Sequence, residues 1–388
     1  MFPNLSYFSH WLFGTNPDNA LSLVNTFGLF LAAGLFVASY FLQIELKRKE
    51  KEGIFSPEKL KMIKGTPITI NEILINAFYG FLFGFKGVYI FQNISKFKEN
   101  PAGSMFSLDG NWIAGILVAI LFGFLIYRDK QKAKLDKPVV YIKDIYPSDR
   151  IGTITMIAGI TGIIGAKLFA VIENLPAFFS DPIGTFISGS GLAIYGGLIG
   201  GFIGVYIYLK GKNISTIHVM DAIAPAMIIG YGVGRIGCQL SGDGDWGIVA
   251  AAMPEWWFLP EWLWSYDYPH NVNKEGIPID GCTWEYCMKL SQKVYPTPLY
   301  EIAMTWIIGG FLWFMRKRVK IVGILFFIYV FLNGVERFII EKIRVNIKYE
   351  TIGITYTQAE LIAVILMIVG VIGILYLRKN GKKIIPST

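Results

Sequence analysis

Charge is scarce in this chain. Of its 388 residues only 16% are Asp, Glu, Lys or Arg, against roughly 25% in soluble domains. The shortage excludes the string of two or three soluble domains that length alone suggests. Cysteine and histidine are scarcer still, three of each. His10, His218 and His270 stand far apart and no Cys/His spacing fits a metal site, so neither a metal nor a cofactor is expected. The N-terminus lacks a basic segment and a small-residue cleavage site, so no cleaved signal peptide is expected. Polar residues do not alternate through the apolar segments, which excludes a transmembrane barrel.

What is present is apolar and continuous: 53% of the residues belong to the set AVILMFWYC. Crossing about 30 Å of hydrocarbon takes roughly 20 apolar helical residues. Nine runs approach that length, at 19–43, 72–93, 111–127, 151–173, 191–209, 217–238, 299–315, 321–341 and 358–377. They predict an all-α polytopic integral membrane protein of about nine transmembrane helices, a single transmembrane domain over 1–388. Basic clusters follow alternate runs: Lys47–Lys51, Arg128–Lys137, Lys210–Lys212, Arg316–Lys320 and Arg378–Lys383. Lys and Arg accumulate on the cytoplasmic side, which puts the N-terminus outside and the C-terminus inside. The net charge of +8 is thereby orientation charge, and nucleic acid is set aside as a partner.

The large outer loop, 239–298, is rich in tryptophan. Residues 243–297 hold six of the ten tryptophans and eight Asp/Glu against three Lys. An aromatic belt at the membrane interface explains this composition; a surface for a partner or lipid is the sharper alternative. Cys282 and Cys287 share the loop, where an oxidising compartment permits a bridge without requiring one.

Shifting the chain by 81 residues aligns 84–127 with 165–208, with fourteen identities in 44 positions. They include Gly84/Gly165, Lys86/Lys167, Asn93/Asn174 and Tyr127/Tyr208. Residues 71–127 thus read as a two-span insertion that repeats 152–208 in parallel orientation. The first copy has Ala114 and Ile116 where the second has Tyr195 and Gly197. The second copy is expected to keep the site.

Ionisable groups within a membrane are costly and mark function by default. At 1.5 Å per residue, Tyr195, Lys167, Glu301, Arg235 and Arg337 lie about 22–27 Å above their cytoplasmic anchors. Two or three cations and a carboxylate at one depth suit a phosphate-bearing lipid, because arginine offers phosphate a bidentate fork. Each cation taken singly is equally explained by snorkelling to the interface. Arg337, Glu341 and Arg344 follow i, i+4, i+7 spacing and share a helix face. Glycines crowd the same stretches, as in Tyr195-Gly196-Gly197 and Gly234-Arg235. Close helix packing and backbone approach of a headgroup both explain them.

At these residues the sequence resembles the prolipoprotein diacylglyceryl transferases. The family's H-G-G-L-I-G segment is matched by Tyr195 to Gly200, and its D-x-x-A-P by Asp221 to Pro225. Its G-R-x-G-N-F-x-N-G-E signature is matched, altered, by Gly234 to Asp243. Its H-P-[ST]-Q-L-Y-E corresponds to Tyr295 to Glu301, which includes Tyr300, and its R-F-x-x-E-x-x-R to Arg337 through Arg344. The resemblance covers roughly 151–377 and the first span. Tyr195 stands where the family has histidine, Asp243 where it has Glu, and Gly244-Asp245-Trp246-Gly247 is one residue longer. The chain therefore resembles a divergent branch.

The resemblance implies transfer of a diacylglyceryl group from phosphatidylglycerol to the lipobox cysteine thiol in a preprolipoprotein signal peptide, at the bacterial cytoplasmic (inner) membrane. It implies Arg235 and Arg337 as the phosphate clamp, with Tyr195 orienting or hydrogen bonding. Gly196, Gly197, Gly234, Asp243, Tyr300, Glu301, Glu341 and Arg344, from the matched motifs, are implied in substrate binding, and Lys167 is expected to join them by its depth. Asp243, Glu301 and Glu341 compete with Tyr195 as base. The remaining alternative is a cationic field that lowers the thiol's pKa enough to need no dedicated base. The other readings are a lipid or anion transporter and a non-catalytic membrane scaffold. A transporter calls for broken helices in both repeats, whereas a scaffold gives no reason to keep five converging ionisable groups.

Overall fold

The computed structural model describes residues 1–99, 101–182, 185, 193–346, 348–351 and 354–381. Its helices are α1 (Leu5–Phe13), α2 (Thr26–Lys51), α3 (Ile70–Gln92), α4 (Ile94–Glu99), α5 (Pro101–Phe106), α6 (Trp112–Ala133) and α7 (Ile151–Glu173). There follow α8 (Leu175–Ser180), α9 (Ile194–Gly211), α10 (Thr216–Ser241), α11 (Thr297–Met315), α12 (Ile324–Glu341) and α13 (Gln358–Asn380). Local chemistry sets several of their starts. Thr69 with Glu72 and Thr357 with Glu360 form capping boxes ahead of α3 and α13, and the Asn111 side chain accepts from Ala114 N at the start of α6. Each cap satisfies N–H groups that lack a partner within the helix.

Among the described residues seven helices are long and apolar enough to cross a membrane: α2, α3, α6, α7, α10, α11 and α13. Ile194–Gly211 and Ile324–Glu341, in the fifth and eighth apolar runs, are helical too but do not meet that measure. The described apolar part of α9 is short, and α12 carries Glu336, Arg337 and Glu341 within its 18 residues. Among the described residues the strands pair in twos and form no barrel: β1 (Glu58–Lys64) with β2 (Val139–Ile145), β3 (Ile277–Pro278) with β4 (Met288–Lys289), and β5 (Lys348–Thr351) with β6 (Ile354–Thr357), all antiparallel.

The chain divides into two compact units. One comprises 1–56 and 209–388. Here α2 and α10 cross so closely that a Cβ on Gly34 would lie 2.6 Å from Gly230 O, and one on Gly230 would lie 2.6 Å from Gly34 O. Ile228, Leu312 and Leu325 form a buried core joining α10, α11 and α12. Asp221, from the D-x-x-A-P segment, accepts from Gly323 N (2.6 Å) and Phe326 N (3.0 Å). It thus caps α12 from a neighbouring helix. The outer loop packs on its own small core of Trp246, Tyr268 and Val294, and Cys282 and Cys287 are bridged.

The second unit comprises 57–208. The β1–β2 ribbon flanks the helical pair α3 and α6, where a Cβ on Gly80 would meet Val118 O and Phe122. In the pair α7 and α9, a Cβ on Gly196 would meet Phe169 and Gly165 O. The two pairs share local hydrogen bonds at the 81-residue offset. Lys86 Nζ donates to Ser104 O (3.0 Å) and Lys167 Nζ to Thr185 O (3.5 Å); Phe97 N donates to Asn93 O and Phe178 N to Asn174 O.

Candidate active site

Three helices and the outer loop of the first unit bring charge to one place. Arg235, near the end of α10, is one helical turn beyond Tyr231, whose hydroxyl accepts from Arg235 Nε at 2.9 Å. Glu301, in the first turns of α11, is fully buried. It pairs with Arg235, with Arg344 at 3.3 Å and with Arg337 at 3.7 Å. On α12, Arg337 also pairs with Glu341 at 3.0 Å across one turn, as the i, i+4 spacing predicts. Just beyond α12, Arg344 meets Asp245 of the loop. The other oxygen of that carboxylate meets Arg235.

Backbone pairing seats Asp245 there. Ile248 N donates to Ile343 O at 2.8 Å, Gly247 N to Tyr295 O at 2.8 Å, and Thr297 Oγ1 to Asp245 O at 2.5 Å. Gly242 and Gly244 take φ of +62° and +96°, a region open to glycine at little cost, so the chain can turn sharply on either side of Asp243. Buried ion pairs offset their desolvation only when each charge is well partnered. Here three guanidiniums face Asp245, Glu301 and Glu341, and each charge is matched.

The two loop carboxylates differ. Burial raises the proton affinity of Asp245, but Arg235 and Arg344 outweigh it and hold the carboxyl below the usual carboxylate range. Burial, with the neighbouring Asp245 charge, pushes Asp243 above that range. Cys238 is buried and free, 3.5 Å from Arg235 Nη1. Cys238, Asp243 and Asp245 offer ligand atoms within 4.8 Å of one another. Both Asp245 oxygens face guanidiniums, however, which makes this a poor seat for a cation.

The guanidiniums are not equally accessible. The side chain of Arg337 is 20% exposed, against 10% for Arg235 and 9% for Arg344, and its contacts to Glu301 are the longest. Arg337 is therefore the cation most open to an incoming anion. A Cβ on Gly234 would meet nothing within 4 Å, which leaves room beside Arg235.

Of the residues singled out in the sequence, Arg235, Glu301, Arg337, Glu341 and Arg344 converge here, with Asp243 and Gly234 adjoining. Tyr300 turns to the loop instead, its hydroxyl donating to Leu263 O at 2.9 Å. Lys167, Gly196 and Gly197 belong to the other unit, where Lys167 donates to Thr185 O and the glycines lie against α7. The Tyr195 side chain lies outside the described residues. Sequence reasoning missed Asp245 and Tyr231. Tyr231 was legible as the i−4 neighbour of Arg235; Asp245 was visible only as the extra residue of an altered motif.

The family model described as prolipoprotein diacylglyceryl transferase matches residues 112–376. Curated relatives include the phosphatidylglycerol–prolipoprotein diacylglyceryl transferase of Staphylococcus xylosus, 32% identical over 263 residues, or 66% of this chain and 82% of the relative. That of Staphylococcus carnosus is 31% identical over 276 residues, 70% of this chain and 87% of the relative. That of Staphylococcus aureus strain Newman is 31% identical over 267 residues, 68% and 83%. With its multi-pass helical architecture and a match over most of its length, the chain belongs to the prolipoprotein diacylglyceryl transferase family of enzymes.

Proposed function

We propose that this protein moves a diacylglyceryl group from phosphatidylglycerol to the lipobox cysteine of a preprolipoprotein, at the outer face of a bacterial cytoplasmic membrane. The convergence of Arg235, Arg337 and Arg344 around Glu301 and Asp245 carries the reading. The substrate sulfur attacks the glyceryl carbon, the carbon–oxygen bond breaks, and its electron pair leaves with the phosphate. Thiolate is the nucleophile, since a free thiol ionises near pH 8.5. Negative charge grows on the departing phosphate, and prepositioned guanidiniums stabilise it there. Arg337 makes first contact, Arg235 and Arg344 complete the clamp, and their field favours the thiolate. Tyr195 orients the substrate by hydrogen bonding.

In this reading nine helices cross the membrane, with the N-terminus outside. Residues 71–127 form a structural counterpart of 152–208; the matching bonds of Lys86 and Lys167 support that. The test is transfer of label from phosphatidylglycerol, labelled in its glyceryl moiety, to a lipobox peptide. A thioether product is expected. Lipid movement across a vesicle without thioether formation would instead favour a transporter.

A further inference from the structure

Glu336 is a carboxylate that the arginine cluster leaves aside. It lies on α12 directly before Arg337 and is 2% exposed. Among the described residues its Oε1 has no hydrogen-bond partner, and the side chain forms no ion pair. It is nonetheless within electrostatic reach of Tyr231 and Arg235 on α10, Glu301 on α11, Tyr329 and Arg337 on its own helix, and Arg344 beyond it. The charges there balance without it. Arg235, Arg337 and Arg344 are matched by Asp245, Glu301 and Glu341. An ionised carboxylate buried with an unpartnered oxygen is costly, so Glu336 is buried more cheaply with its proton than without it.

Resting on the reading above, we propose that Glu336 is carried as the neutral acid and donates its proton to the phosphate oxygen that leaves the glyceryl carbon. The carbon–sulfur bond forms as the carbon–oxygen bond breaks. The electron pair passes to the phosphate oxygen, and the Glu336 proton settles on it. The proton released by the thiol then returns to Glu336. Over a cycle one proton moves from thiol to phosphate, and nothing else is consumed. The arginines stabilise the charge of the leaving group, while Glu336 removes part of it.

The test is Glu336→Gln, which keeps the shape and cannot give up a proton. Transfer from phosphatidylglycerol is expected to fall about a hundredfold in kcat or more, the usual share of general acid catalysis, with KM for the lipid changed less than threefold. With an analogue carrying 4-nitrophenyl in place of the glycerol headgroup, whose departing phosphate is a weaker base, the loss is expected to shrink below tenfold. The wild-type rate is expected to decline at alkaline pH, and that decline to be absent from the variant. A loss of less than threefold, or an equal loss on both lipids, overturns the proposal. Glu336→Asp keeps the proton and is expected to keep both the alkaline decline and the wild-type ratio between the two lipids; its behaving like Glu336→Gln in these respects overturns the proposal too. A wild-type protein that makes no thioether from either lipid removes this step together with the reading it rests on.

Discussion

Arg344, just past the end of α12, pairs with Asp245 in the outer loop, joining positions 99 apart in the chain. The contact makes the tryptophan-rich loop part of the charged cluster rather than a cover over it. It also means that Arg235 and Arg344 share one loop carboxylate, whereas Arg337 pairs with Glu341 and, at 3.7 Å, with Glu301.

Arg337 is the most exposed of the three guanidiniums, and the first prediction concerns it. Arg337→Ala is expected to abolish thioether formation, with activity at least a thousandfold down. Arg337→Lys keeps the charge but loses the planar fork and should retain a small fraction. Tyr195→Phe should cost less than a hundredfold. Rates for the three purified variants, with labelled phosphatidylglycerol and a lipobox peptide, decide this. Wild-type transfer in Arg337→Ala would end the assignment of the clamp.

Asp243 and Asp245 should respond oppositely to loss of charge. The Asp245 carboxyl is held below its ordinary range in the folded protein. Its stabilisation is present above the unfolded pKa of about 3.9 and is lost as pH falls through the lower folded value. Asp245→Asn should therefore lower stability at pH 7 by roughly 1–3 kcal/mol, the cost of leaving charged partners short of a bond, and the deficit should vanish in strong acid. Asp243 is shifted upward by burial and by Asp245. Its contribution is fully present below the unfolded pKa and is lost as pH rises through the folded one. Asp243→Asn should raise the unfolding midpoint at pH 7 and have little effect near pH 3.5. Thermal unfolding in detergent across that pH range reads both signs.

The long apolar helices were legible because hydrophobic runs of this length have one common solution in a bilayer; the caps at Thr69, Asn111 and Thr357 emerge only from the structure. Arg337 and Glu341 were legible as a pair because helical spacing alone makes them neighbours. The position of Asp245 was not, since backbone pairing of Gly247 and Ile248 with a distant segment delivers it. Tyr300 was placed by its matched motif and Lys167 by depth, but neither signal fixes the direction of a side chain. One side chain holds the loop through Leu263 O and the other binds Thr185 O. The β1–β2 ribbon escaped notice because its strands flank a long helical insertion.

Close approach of α2 and α10 underlies the position of Arg235. A side chain on Gly230 would run into Gly34 O and Ala38, and overpacking of this kind costs about 1–3 kcal/mol. Gly230→Leu should lower the unfolding midpoint and reduce transfer, while Gly234→Ala, facing open space, should unfold as the wild type does. Equal midpoints for Gly230→Leu and wild type would show that the crossing is not tight.

Gly197 allows packing and lipid contact to be separated. A Cβ there would lie 3.5 Å from Ala166 Cβ and from Gly162 O, ordinary van der Waals separations, so Gly197→Ala fits without moving α7 or α9. Gly196→Ala would instead press on Phe169 and Gly165 O and mix the two effects. If the second copy of the repeat meets the headgroup, Gly197→Ala should raise KM for phosphatidylglycerol at least tenfold at an unchanged unfolding midpoint. The equivalent first-copy changes, Ala114→Ser and Ile116→Leu, should leave transfer within twofold of wild type. A wild-type KM in Gly197→Ala would assign this glycine run to helix packing alone, and a large loss in either first-copy variant would mean that both copies serve the reaction.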